Sequence, residues 1–87
     1  MPRDTKRALR SLGLRLRELR RHQGMTQEEM AERVGMLTPN YARIEQGRVN
    51  VTVDTLVRLA NALASSLVSL FGTPQMLDVP RGRPRGS

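Results

Sequence analysis

The chain has 87 residues, a net charge of +7, no cysteine and a single histidine, His22. That length suits one small domain, and the missing cysteines exclude a disulfide framework or a thiolate metal site. No apolar run reaches the roughly 18–20 residues of a membrane span, and the positive charge favours a polyanionic partner, nucleic acid before a membrane surface.

Leu9, Leu12, Leu16 and Leu19 recur at spacings of three and four, one stripe of a helix predicted from Thr5 to Gln23. Its other faces are rich in arginine, and Gly24 is its stop. Gly13 interrupts it at a cost of about 1 kcal/mol relative to alanine. "MTQEEMAERVG" then opens with Thr26 as N-cap and Glu29 three residues on, a capping box, with Met25 and Met30 as its hydrophobic staple. Helix two is predicted over Gln27–Val34, with Gly35 ending it in the left-handed conformation.

"GMLTPNYARIEQG" follows, with Pro39 near the front of a third helix. A proline at the first helical position loses an N–H that no intrahelical bond needed, and it pushes the preceding residue out of the α region, as an N-cap requires. The prediction is therefore that Thr38 caps, Pro39 begins, and the helix runs to about Gln46 before Gly47. Tyr41 and Ile44 face inward, and Pro39, Asn40 and Arg43 share the outer face. Helix four, capped by Thr52, carries the stripe Val53, Leu56, Val57, Ala60 and Leu63, with Val51 stapled to Leu56. A fifth element capped by Ser65 or Ser66 places Leu67, Leu70 and Phe71 on one face and Val68 elsewhere. The fold class is all-α, a compact five-helix bundle.

Residues 1–8 read as a basic arm or an extension of helix one, 9–72 as the domain, and 73–87 as a Pro/Gly/Arg-rich, flexible basic tail. The N-terminus lacks the apolar core of a signal peptide, so a cytoplasmic protein is expected. Without a His cluster, a glycine-rich phosphate loop or a converging acid pair, neither an enzyme nor a cofactor is expected. Arg-rich helix one spends its leucines on the core, which argues against a membrane role.

Two short helices joined by a tight turn form a helix-turn-helix signature. With "TQEEMAERVG", "RIEQG" and "TLVRLANAL", the segment from Leu12 to Phe71 resembles the phage-repressor and Cro (XRE-like) family of helix-turn-helix regulators. The resemblance implies a lambda-repressor-like fold and a transcriptional regulator that binds double-stranded DNA as a homodimer on a palindromic operator, with helix three in the major groove. It implies that Gln27 meets the DNA backbone and braces helix three, and that Arg20 and Glu45 form a structural ion pair. The readers are then Leu37, Thr38, Pro39, Asn40 and Arg43, with Arg43 suited to a guanine's O6 and N7. Leu37 and Pro39 depart from the polar residues common in the family. The proline ring suits a thymine methyl, Asn40 suits an adenine edge or a phosphate, and Leu37 is a reader or a core residue. Phosphate donors are Gln27, Thr38, Arg48 and Asn50, joined by Tyr41 if its hydroxyl escapes the core. Most of the charge of helix one reads as solvated, with the Arg3–Lys6–Arg7 end able to reach DNA, and Glu28, Glu29 and Glu32 are expected to point away from it.

Val68, Met76 and Leu77 are apolar residues that a monomer buries poorly, and they form the expected dimer contact. "PRGRPRG" resembles an AT-hook, in which Arg81, Gly82, Arg83 and Pro84 would enter a narrow minor groove; the plainer reading is a disordered basic end. The alternative for the whole chain is a protein-interaction module, such as an antitoxin or adaptor, built on the same fold.

Overall fold

The computed structural model describes residues 1–72. They form α1 (Arg3–His22), α2 (Gln27–Val34), α3 (Thr38–Glu45) and α4 (Val53–Ala62), closed by a 3₁₀ turn (Val68–Phe71), with no strand among the described residues. The count is therefore four α-helices and a turn, one helix fewer than predicted. In a 3₁₀ turn residues three apart eclipse one another, so Leu70 is buried while Phe71 rotates outward and is 59% exposed. The N-cap of the turn is Leu67 rather than Ser65 or Ser66, although Ser66 Oγ, one residue earlier, accepts from the Ser69 N–H at 3.2 Å.

Leu9, Leu12 and Leu16 of α1 are buried, and Leu19 packs against the core. The helix begins at Arg3, two residues before the predicted start, so Arg3, Lys6 and Arg7 sit on α1. The capping box of α2 forms: the Glu29 N–H donates to Thr26 Oγ1 at 3.0 Å and the Thr26 N–H to Glu29 Oε1 at 2.8 Å. Met25, Met30, Ala31 and Val34 join Tyr41, Ile44, Leu59 and Leu63 in one core between the helices. On α4 the predicted stripe is rotated. Leu59, Ala60 and Leu63 are buried and Leu56 packs against the core, but Val53 and Val57 lie exposed, so the buried face is centred nearer Leu59 than the stripe places it.

At the front of α3 the cap is Leu37, not Thr38, and Pro39 occupies the second helical position. The Leu37 carbonyl accepts from the N–H groups of Asn40 and Tyr41 at 3.0 and 3.1 Å, which starts the helix. An N-cap side chain normally accepts from the second or third N–H of its helix. Here the second residue is a proline without one, and the third N–H already bonds the Leu37 carbonyl. A leucine can therefore stand where a capping side chain would, and Thr38 has no cap to supply.

Gly13 explains why a helix breaker is kept in α1. A Cβ there would lie 2.2 Å from the Glu45 carbonyl oxygen and 2.7 Å from that of Ile44, so the backbones of α1 and α3 meet at this point. Gly47, at φ +70°, does the same from the other side, and a Cβ on it would lie 2.7 Å from Arg10 Cα. These two approaches fix the last turn of α3 against the middle of α1.

Candidate nucleic-acid interface

The inner side of α3 is held by a buried polar cluster centred on Glu45. Arg20 Nε donates to Glu45 Oε2 at 2.6 Å and Arg20 Nη2 to Oε1 at 3.2 Å, a two-point pairing of guanidinium and carboxylate. Arg20 Nη1 also donates to the Met25 carbonyl at 2.7 Å, tying the start of the α2 segment to the pair. Gln27 Nε2 donates to Glu45 Oε1 at 3.0 Å, and the Tyr41 hydroxyl donates to Oε2. Arg20 and Glu45 are both 7% exposed. Burial alone pushes the Glu45 carboxyl up, but the hydrogen bonds from Arg20, Tyr41 and Gln27 outweigh it and hold the group below the ordinary glutamate value. The Glu45 hydrogen bond raises the Arg20 value against the opposing effect of burial. Burial, then the bond to Glu45, pushes the Tyr41 phenol well up, so it stays a neutral donor. Tyr41 is fully buried, which removes it from the phosphate donors and gives it a structural task.

With its back fixed in this way, α3 turns Pro39, Asn40, Arg43 and Gln46 outward, all exposed. Arg43 Nη1 donates to Asn40 Oδ1 at 2.9 Å. That contact steers the guanidinium along the face while leaving most of its five N–H donors unused. Leu37 is 71% exposed, which settles its alternatives against the core. Thr38 is half-buried at the helix start. Beside this face a shallow cleft brings Asn50 and Thr52 against Asn40 and Arg43. Arg48 is exposed next to it, its Nη1 donating to Gln46 Oε1 at 3.3 Å.

Residues 11–70 match the family described as the helix-turn-helix domain. The chain belongs to that family. This XRE-like chain is 44% identical over 59 residues to y4dJ of Sinorhizobium fredii, named as an uncharacterized helix-turn-helix-type transcriptional regulator, an alignment covering 68% of this chain and 77% of y4dJ. It is 35% identical over 69 residues to the transcriptional regulator PuuR of Escherichia coli, covering 79% of this chain but only 37% of PuuR's length. The restriction-modification controller protein C.AhdI of Aeromonas hydrophila superposes with a TM-score of 0.71 at 36% identity, over 72% of this chain and 96% of that one. The names of PuuR and y4dJ are those of helix-turn-helix-type transcriptional regulators. Among the described residues no helix is long and apolar enough to cross a membrane.

Around the regulator's α3, two features escape a motif-based reading. Gln46 lies three residues after Arg43 and seven after Pro39, so helical spacing alone places it on the outer face. Arg17 and Arg21 of α1 open into a second cleft, shared with Gln27, Glu28 and Gln46. Glu28 lines that cleft, while Glu29 and Glu32 are exposed elsewhere on α2. Of the expected dimer contact, Val68 is 80% exposed. Met76 and Leu77, and the tail residues Arg81, Gly82, Arg83 and Pro84, lie outside the described residues.

Proposed function

We propose that this regulator binds a palindromic operator as a homodimer, placing the front of α3 in the major groove. The observation that carries this reading is the pairing of a locked inner side with an open outer one. Glu45 accepts from Arg20, Gln27 and Tyr41 behind α3, while Pro39, Asn40 and Arg43 stand exposed in front. A reader must be rigid, because a side chain displaced by an ångström loses the two-point contact to a base edge.

Arg43 then reads guanine, aligned by Asn40. Leu37 and Pro39 supply apolar contacts to thymine methyls, while Gln27, Thr38, Arg48 and Asn50 hold phosphates and set the register. Val68, with Met76 and Leu77, makes the subunit contact, and the two copies of α3 would lie about 34 Å apart, one turn of the duplex. Arg81, Gly82, Arg83 and Pro84 reach the adjoining minor groove where the flank is A·T-rich.

Selection of bound sequences from random duplexes tests the reading. The expected product is a twofold-symmetric site with a guanine in each half whose preference disappears in Arg43→Ala. Recovery of no preferred sequence, or of one without symmetry, would overturn it.

A further inference from the structure

α1 concentrates its charge on a single face. At 100° per residue, Arg3, Lys6, Arg7, Arg10, Arg17 and Arg21 fall within about 100° of one another. All six are exposed, and none forms an ion pair among the described residues. Of the acids of α1, Glu18 lies about 20° and Asp4 about 60° beyond the Arg7 edge of that face, and Glu18 pairs with Arg15 at 2.8 Å. Like charges at spacings of three and four weaken a helix. Arg3/Arg7, Lys6/Arg10 and Arg17/Arg21 are all such pairs, so the face carries a standing repulsion that a polyanion would relieve.

The fold decides which part of that face matters. Gly13 and Arg20 border it, and both contact the last turn of α3. The Arg17–Arg21 end consequently opens onto the cleft lined by Gln27 and Gln46. Gln46 continues the outer face of α3, and the exposed N-terminal turn of α2 supplies the adjoining wall. Arg20, the third arginine of that cleft, is already neutralised by Glu45. Within that cleft the acid left to Arg17 and Arg21 is Glu28, and on its far side Arg21 shares a further cleft with Glu18, which pairs with Arg15.

We infer that Arg17 and Arg21 grip the phosphate backbone of the same duplex that α3 reads, next to Gln27, making α1 a second, sequence-independent contact track. The proposal rests on the DNA-binding reading above and extends it to a helix whose charge the sequence pattern assigns to solvent. Continuity with the outer face of α3, together with the unpaired charge, selects nucleic acid as the occupant. The grip fixes how the domain lies on the duplex and makes its affinity steeply dependent on salt.

The test measures binding of the full 87-residue chain to a duplex of about 30 base pairs carrying the selected site, from about 50 to 200 mM KCl. In R17Q/R21Q the slope of log affinity against log salt should shrink by roughly two, so that the affinity lost across that range becomes roughly tenfold smaller than in wild type. K6Q/R7Q removes the same charge from the far end of α1 and should change the slope by less than half as much. Glu28→Gln should tighten binding severalfold at low salt. All three changes are at exposed positions and should leave the melting temperature in place, which separates contact from folding. An R17Q/R21Q slope equal to wild type, or a change no larger than that of K6Q/R7Q, overturns the proposal while leaving the α3 reading intact. A wild-type chain that binds no duplex overturns both.

Discussion

Replacing Gly13 by alanine sets two effects of known size against each other. In an isolated helix the change is favourable by about 1 kcal/mol. In this fold the new methyl would stand 2.2 Å from the Glu45 carbonyl oxygen, where ordinary contact begins at 3.4 Å, so α1 and α3 would have to part by about 1 Å. The atoms in the way are backbone and cannot rotate aside. An inserted methyl in a tight core costs about 1–3 kcal/mol, and a rigid backbone neighbour places this case at about 3. The same displacement stretches the Arg20–Glu45 contact, now 2.6 Å. The net loss is about 2 kcal/mol, which for a domain of this size lowers Tm by about 10 °C. Calorimetric or circular-dichroism melting measures it, with Gly24→Ala as control. Gly24 has φ +72° and nothing within 4 Å, so that change carries the left-handed penalty without the collision. Gly13→Ala should also weaken DNA binding below its Tm, because α3 moves relative to α2, while Gly24→Ala should not. A Gly13→Ala variant that melts at or above wild type would refute the argument, showing that helix propensity prevails and the seam is loose.

Arg43→Ala should cost about 1–3 kcal/mol of binding and relax preference at one base pair while leaving Tm unchanged; equal loss on every sequence, read by anisotropy on a panel of singly substituted sites, would make Arg43 a phosphate contact instead. Glu45→Ala strands the buried Arg20 guanidinium and should lower stability by about 3–5 kcal/mol in a denaturant titration. Because the native Glu45 carboxyl is held below the ordinary 4.5, the unfolded chain takes up its proton first as pH falls. The stability it confers is therefore whole above about pH 4.5 and is lost as pH drops through the native value. Glu45→Gln should flatten that acid limb, with a residual slope from Glu29, which the Thr26 N–H holds low in the same way. Val68→Lys should leave the fold intact and give a monomeric mass by sedimentation at micromolar concentration, with site affinity reduced.

The α-helical character of the chain was legible in its residues because local rules suffice for it. Leucines at helical spacing, the Thr26 box, Thr52 and the glycine stops place α1, α2 and α4 to within a few residues. The Arg20–Glu45 pairing and the outward set Pro39, Asn40 and Arg43 were legible too, the first through family resemblance and the second from periodicity. The tertiary structure decided the rest. Whether Leu37 or Thr38 caps α3 depends on which carbonyl receives the first helical bonds. The choice between an α-helix and a 3₁₀ turn at Val68–Phe71 sends Phe71 to the surface. Val53 and Val57 fit the apolar period of α4, but the fold leaves both exposed. Gly13 looks like a flaw until the Glu45 carbonyl is set against it, and Arg17 and Arg21 look like solvated charge until α1 is laid beside Gln27 and Gln46. Periodicity tells which residues of a helix share a side; what that side meets depends on segments far away in the chain, and only their packing supplies it.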